Sequence, residues 1–185
     1  MRKNFGKHTW FYPMPVLIIG SYDENGNANA MTAAWGGVYD TNQVMLCLSR
    51  DHKTTRNIRA KGAFTVSFAD AAHVAESDYL GIVSGNEVPD KLQRAGLHTE
   101  KSEFVDAPVI SELPMTLECR LLKFNEDVNV IGEIVNISAD ERILGENGEI
   151  DPARLEPISF DGVHNIYLKS GEKAGTAFQD GKALQ

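Results

Sequence analysis

The sequence predicts a single, mainly β domain: an antiparallel barrel that carries a few helical insertions. Most of the predicted strands follow one another at short intervals in the chain, as the strands of an antiparallel sheet do. An Asn-Gly pair at positions 25 and 26 lies between two of them, and this dipeptide is the strongest short-range signal for a hairpin turn. Strands and helices do not alternate regularly, which disfavours a parallel α/β sheet.

The first predicted strands surround that turn. Residues 16–22 form a β-rich run behind a Pro-Met-Pro segment, and residues 27–39 return as a second strand of small side chains. Residues 44–48, VMLCL, are apolar throughout and predict a third, buried strand.

Helices and further strands follow in the rest of the chain. Polar residues 49–58 lead into a helix that ends near Gly62, and residues 63–69 alternate as a half-buried strand. Two short helices follow over residues 73–80 and 89–95, and a long hairpin joins residues 115–124 to residues 129–138. A turn at residues 146–149 and a tail over residues 160–185 complete the domain. The tail is too irregular for a helix and too apolar for disorder. We therefore expect one domain over residues 1–185, whose tail wraps around the domain or a partner subunit.

Composition and charge exclude several classes of partner. The net charge of -8 disfavours nucleic acid and anionic membranes, because phosphate-rich partners require a basic surface. Cys47 and Cys119 lie in apolar, strand-like runs and predict buried free thiols in a reducing compartment. The N-terminal residues lack the apolar segment of a signal peptide, and no apolar run is long enough to span a bilayer. A cytoplasmic protein is expected.

Motifs for several common chemistries are absent from the sequence. It contains no GxGxxG, no GxxxxGK[S/T], no HExxH and no GxSxG. The five histidines are scattered without the spacing of metal ligands. We therefore expect no metal site, and no side chain is assigned a catalytic role.

The polar loop after the third strand, SRDHKTTRNI at residues 49–58, suits a phosphate group. Arg50 and Lys53 supply positive charge, Ser49 and Thr54 supply hydroxyl groups, and the following helix presents free N–H groups at its N-terminus. A capped surface helix with solvated charges explains the same residues. The loop alone leaves both interpretations open.

The stretch GNANAMTAAWGG at residues 26–37 suits a flat ligand. Small residues allow the backbone to approach a ring closely, and Asn29 and Thr32 could satisfy its polar edge. Trp35 could pack on or beside such a ring. Tight strand packing around a buried Trp35 is the alternative, and this stretch alone does not decide between them.

Together these motifs resemble those of the flavin reductase-like family, the FMN-binding split barrels, and in particular its flavoredoxin-type members. Similar segments occur in the same order over nearly the whole chain, at residues 13–16, 29–37, 49–58, 78–85, 90–92, 106–108, 117–119, 131–134 and 171–181. The resemblance implies an antiparallel, Greek-key-like split β-barrel. It also implies a homodimer with FMN near the subunit interface.

The same resemblance implies which residues bind FMN. The small-residue strand would line the isoalloxazine ring, and the polar loop would hold the phosphate and ribityl chain. Cys47 would lie near the ring, and Lys91 would reach the cofactor from the helical insertion. The implied cofactor-binding residues are Asn29, Ala30, Met31, Thr32, Ala33, Trp35, Cys47, Ser49, Arg50, His52, Lys53, Thr54 and Lys91.

Two functions follow from this family. The first is an NAD(P)H-dependent flavin reductase, in which NADH or NADPH passes a hydride to flavin N5 and the electrons leave to free flavin or a redox protein. The second is a flavoredoxin-like electron carrier that binds FMN without oxidising NAD(P)H itself. A non-flavin interaction protein that has kept the barrel is a third possibility.

Overall fold

A computed structural model describes residues 1–184 of the protein. Its strands are β1 (Met14–Pro15), β2 (Leu17–Tyr22), β3 (Ala28–Ala33), β4 (Gly36–Asp40), β5 (Gln43–Leu46), β6 (Ala63–Phe68), β7 (Thr99–Lys101), β8 (Pro108–Ile110), β9 (Met115–Phe124), β10 (Val130–Ala139), β11 (Ile158–Asp161) and β12 (Ile166–Lys169). Its α-helices are α1 (Lys53–Lys61), α2 (Val74–Ile82), α3 (Lys91–Arg94) and α4 (Pro152–Leu155), and short 3₁₀ helices occupy Ala71–His73, Glu141–Ile143 and Asp180–Leu184. Strands therefore dominate, as predicted.

The central element is a seven-stranded sheet with the order β3-β2-β6-β9-β10-β5-β4, in which every pair is antiparallel. Its two edge strands, β3 and β4, are consecutive in the chain and only Ala34 and Trp35 separate them. The sheet must therefore curl until its edges meet. A Cβ placed on Gly36 would lie 2.8 Å from Leu46 on β5 and 3.1 Å from Leu17 on β2, so glycine permits this closure.

The closure corrects the prediction of a single strand over residues 27–39. The chain instead pairs with β2 as far as Ala33, bends at Ala34 and Trp35, and then pairs with β5. Small residues lie on both sides of the bend and only Trp35 interrupts them, so the hydrophobic pattern did not reveal the change of partner. The bend lies where the barrel closes.

The barrel interior is filled by apolar side chains from its strands and from α1, including Leu46, Ile58, Phe64, Val66 and Val130. The helix α1 joins β5 to β6 and packs against β2, β3 and β6. It ends at Gly62, as predicted, where a positive φ of 69° lets the glycine N–H bond to the Ile58 carbonyl. This connection between strands that are not neighbours gives the sheet its Greek-key-like order.

The strand β6 is more buried than its alternating sequence predicted. Phe64 and Val66 point into the barrel, but the polar residues between them are covered as well. The hydroxyl of Thr65 donates to the Pro108 carbonyl of β8 at 2.6 Å, and Ser67 and Thr116 share a hydrogen bond of 2.8 Å. The polar face is therefore buried with its hydrogen bonds satisfied.

The two predicted short helices and the long hairpin are present as α2, α3 and β9–β10. The predicted tail includes the end of β11 and the whole of β12, which its irregular sequence did not reveal because each strand is only four residues long. The strand β11 pairs with the two-residue β1 on one side and with β12 on the other. From Ser170 to Leu184 the chain is exposed, and Gln185 lies outside the described residues. The longest α-helices have nine residues, so no helix within residues 1–184 could traverse a bilayer.

Candidate functional site

The bend that closes the barrel places Trp35 beside Cys47. The backbone N–H of Cys47 donates to the Trp35 carbonyl at 2.8 Å, which fixes the residues after β5 against the bend. The Trp35 side chain is 55% exposed. This exposure removes the alternative in which Trp35 is the buried centre of a tightly packed strand.

A groove of about 530 Å³ lies over this bend. Its walls are largely apolar and include Trp10, Phe11, Met14, Trp35, Met45 and Cys47. A Cβ placed on Gly37 meets no described atom within 4 Å, so the glycine leaves the floor of the groove open. The volume lies in the range that small-molecule ligands occupy.

The polar end of the candidate site is built around Asn29 and Thr54. The Asn29 side-chain amide donates to the Thr54 hydroxyl at 2.8 Å, and both side chains are buried. Gly85 packs so closely that a Cβ there would lie 2.1 Å from the Asn29 side-chain oxygen. The edge strand, the first turn of α1 and the segment after α2 therefore meet at Asn29.

Two lysines lie beside this meeting point. Lys53 pairs with Asp23 at 3.6 Å and lines an open cleft of about 430 Å³ with Gly85. Lys91 is only 2% exposed, and its ammonium group donates to the carbonyls of Leu80 at 3.0 Å and Val83 at 2.8 Å. Burial, together with the nearby charge of Lys53, lowers the pKa of Lys91 from its ordinary 10.5 to about 8. Lys91 thus caps the C-terminus of α2, and its ammonium group is buried near Lys53.

The side chains of β3 divide between its two faces, as alternation along a strand requires. Met31 and Ala33 pack on the barrel interior, whereas Ala30 belongs to a second apolar cluster between the sheet and the helices. The Thr32 hydroxyl donates to the Ser77 carbonyl of α2. A ligand on one face of β3 can therefore meet the side chains of only one of these two sets.

The polar loop before α1 turns tightly. The Thr55 hydroxyl donates to the Ser49 carbonyl at 2.7 Å, and His52 occupies the N-cap position of α1 without a side-chain capping hydrogen bond to the described residues. The N–H groups of the first turn therefore stay available to a ligand. Arg50 is exposed and lines a separate cavity along α1.

Of the residues singled out from the sequence, Lys53 lines the polar cleft, and Trp35 and Cys47 line the groove. Asn29 and Thr54 bond to each other beneath the cleft, and Lys91 is buried near Lys53. Sequence reasoning missed Gly85, Trp10 and Met45. The run Trp10-Phe11-Tyr12, three aromatics in a polar N-terminal arm, was the available signal for the groove.

Comparison with known proteins identifies the family. The family model for the flavin reductase like domain matches residues 9–155. Flavoredoxin of Desulfovibrio vulgaris (Miyazaki F) is 37% identical, with a TM-score of 0.94 over 98% of this chain and 100% of that chain. Flavoredoxin from Methanosarcina acetivorans is 30% identical, with a TM-score of 0.90 over the whole of both chains.

A more distant structure shares the fold. The FMN-binding domain of a flavin reductases-like enzyme from Shewanella baltica OS155 is 20% identical, with a TM-score of 0.77 over 88% of each chain. The curled antiparallel sheet and these neighbours confirm the predicted split barrel. The chain therefore belongs to the flavin reductase-like family and resembles its flavoredoxin-type members.

Proposed function

We propose that this protein is an FMN-binding flavoprotein oxidoreductase that takes electrons from NADH or NADPH and passes them to free flavin or a redox protein. The observation that carries the proposal is that one chain segment, β3 and the bend after it, links the Asn29–Thr54 hydrogen bond at the start of α1 to the Trp35–Cys47 contact beside the groove. Membership of the flavin reductase-like family supports it.

The residues present fit FMN. The groove beside Trp35 and Cys47 offers an apolar wall and open backbone to a flat ring, and the small residues of the edge strand β3 lead into it at Ala34. The segment Ser49–Thr54 offers hydroxyls, cations and the N-terminus of α1 to a phosphate. The proposed ring contacts are Asn29 to Ala33, Trp35 and Cys47, and the proposed phosphate contacts are Ser49, His52, Lys53 and Thr54. Arg50, which the family resemblance places at the phosphate, instead lines the separate cavity along α1.

FMN would supply the redox chemistry by accepting a hydride and releasing electrons to the acceptor. The protein's own contribution is binding, orientation and charge. Backbone N–H groups at the open edge of β3 and after Cys47 would stabilise negative charge on a ring held beside them. Lys53 and Lys91 would add positive charge near the polar end. Hydride transfer needs no protein acid or base, so no side chain is assigned that role.

We also propose a homodimer with the cofactor near its interface. Trp35, Val38 and Tyr39 are exposed on the bend and on the edge strand β4, beside the exposed aromatics of the N-terminal arm. An apolar surface of this kind at an unpaired sheet edge favours burial against a second copy. Residues 1–185 would act as one domain, in which the predicted tail from residue 160 pairs within its own chain as far as Lys169 and wraps around the partner beyond Ser170. Light scattering on the full chain and on a chain ending at Ser170 tests both points.

The electron carrier is the second candidate function. The two flavoredoxins, at 37% and 30% identity over nearly the whole chain, favour it. Such a carrier would use the same FMN site and would receive electrons from another protein.

Anaerobic stopped-flow absorbance separates the two candidates. The FMN-loaded protein is mixed with NADH and, separately, with NADPH. A reductase loses its flavin absorbance with at least one donor, at a rate that saturates with donor concentration. A protein that remains yellow with both donors but is bleached by dithionite is a carrier.

A further inference from the structure

A strongly basic cavity of about 540 Å³ lies between α1 and the β9–β10 hairpin. Its lining includes Arg50, Thr55, Arg56, Arg59, Phe124 and Asn125, and no described residue that lines it is acidic. Three arginines therefore converge on one cavity in a chain whose net charge is -8. We call this cavity the arginine pocket.

The arginines of this pocket lack the counter-ions that most other arginines in the protein have. Arg94, Arg120, Arg142 and Arg154 each pair with a carboxylate. Within residues 1–184, no carboxylate lies at ion-pairing distance from any of the three pocket arginines. Bringing three unpaired guanidinium groups together is unfavourable, and a bound anion would relieve the repulsion.

Two of the three arginines are held in place. The Arg56 guanidinium donates to the Asp51 carbonyl at 2.9 Å and to the side chain of Asn86, which lines the neighbouring cleft, so Arg56 lies between the two cavities. The Arg59 guanidinium lies 4.0 Å from the centre of the Phe124 ring. Arginine held in this way is well suited to a phosphate, because its planar fork can donate two hydrogen bonds to one group. The cavity is larger than a phosphate requires, and Phe124 offers an apolar face to an attached ring.

The arginine pocket lies on a different side of α1 from the proposed FMN phosphate site. Residues five apart on a helix are separated by about 140° around its axis, which places Arg59 well away from Thr54 and Asn29. The pocket is nevertheless near the groove, since Arg50 follows Cys47 by three residues and an extended chain of that length spans about 11 Å. FMN carries a single phosphate, which leaves the arginine pocket for a second phosphorylated ligand.

We propose that the arginine pocket binds the adenosine end of the nicotinamide donor and that its arginines recognise the 2′-phosphate, so that NADPH is preferred to NADH. This inference rests on the proposed reductase function. NADPH and FMN each carry a phosphate monoester, so the experiment must distinguish which of the two molecules the arginine pocket binds.

Calorimetric titration of the FMN-loaded protein with adenosine 2′,5′-bisphosphate tests the proposal without any redox step. Wild type is expected to bind it, and Arg59→Ala is expected to bind it about tenfold or more weakly, since a charge-assisted contact is lost. Arg94→Ala removes the same charge from a paired, exposed arginine and should bind as wild type. FMN affinity should be the same in all three proteins, and thermal melting should confirm that each is folded.

Two results would overturn the proposal. Either the wild-type holoprotein fails to bind the bisphosphate, or Arg59→Ala weakens FMN binding while leaving bisphosphate binding unchanged, which would assign the pocket to the FMN phosphate. If NADH bleaches the holoprotein but the holoprotein does not bind the bisphosphate, the proposed reductase function stands and the proposal for the arginine pocket is wrong.

Discussion

The side-chain amide of Asn29 donates a 2.8 Å hydrogen bond to the hydroxyl of Thr54, which ties the edge strand β3 to the first turn of α1. Asn29 comes from the segment of small residues and Thr54 from the polar, basic loop, the two parts of the sequence that suggested a ligand. Their contact is buried, so it fixes the N-terminus of α1 beside the open edge of the barrel.

Replacing Lys53 and Thr54 together by alanine should weaken FMN binding by about tenfold or more, because charge-assisted phosphate contacts are lost. Titration of FMN fluorescence against the protein measures this. The double change Thr99→Ala with Lys101→Ala removes the same two kinds of side chain from β7, outside the loop, and should leave FMN affinity unchanged. Equal FMN affinity in the Lys53/Thr54 variant and wild type would place the phosphate elsewhere.

The groove can be filled without disturbing the core. Gly37 faces open space, so Gly37→Leu should lower FMN affinity while leaving the melting temperature close to that of wild type. Ala33 is 9% exposed and packs in the barrel interior, so Ala33→Leu should instead destabilise the fold by about 1–3 kcal/mol through overpacking. Paired FMN titrations and thermal melts distinguish the two effects. If Gly37→Leu binds FMN as wild type does, the ring does not lie in the groove.

Lys91 should make stability depend on pH in a defined window. Its pKa is lowered to about 8 in the folded protein, so between pH 8 and the ordinary value of 10.5 the unfolded chain holds a proton that the folded chain has lost. The free energy of unfolding should therefore rise with pH across this window, relative to Lys91→Met. Below about pH 8 the difference in unfolding free energy between wild type and Lys91→Met should not change with pH.

Urea unfolding of both apoproteins from pH 7 to pH 10 measures this difference, with the exposed Lys101→Met as a control that should show no such rise. Saturation with FMN provides a second comparison. A phosphate near Lys91 would raise the pKa of Lys91 and shift the window to higher pH. A difference that stays flat across the whole range would mean that the Lys91 ammonium is not desolvated in the folded protein.

The two thiols should react differently. Cys119 is buried, and burial, with a smaller effect from Glu118, raises its pKa to about 12. Cys47 is half-buried and lines the groove. Iodoacetamide should therefore alkylate Cys47 and spare Cys119 in the native protein, as peptide mass spectrometry would show, and FMN should slow the reaction. Labelling in urea should modify both. If saturating FMN leaves the alkylation rate of Cys47 unchanged, the Cys47 thiol does not lie beside the cofactor.

The sequence was sufficient for the elements with strong local signals. The hairpin β9–β10 has two long strands and a polar turn, and α1 ends where Gly62 takes a positive φ. The bend at Trp35 was not predictable in this way, because it depends on the pairing of β4 with β5 at the opposite end of the sheet order from β3. The order of large and small side chains along a strand does not show which other strand it pairs with.

The candidate site shows the same limit. Residue types identified a small-residue strand and a basic loop, but only the folded chain brings Asn29 to Thr54. It also reveals that Ala30 and Thr32 point away from the face of Met31, and that Lys91 is held by the carbonyls at the end of α2. Those outcomes depend on tertiary packing.

The most direct test of this account is the absorbance spectrum of the purified protein, followed by a titration of FMN fluorescence on the protein stripped of flavin. The account predicts a yellow protein with a flavin spectrum, or an apoprotein that quenches added FMN to one equivalent per chain. A colourless protein that leaves FMN fluorescence unchanged while its circular dichroism shows an intact β fold would contradict it, and would favour an interaction protein that has kept the barrel without the flavin.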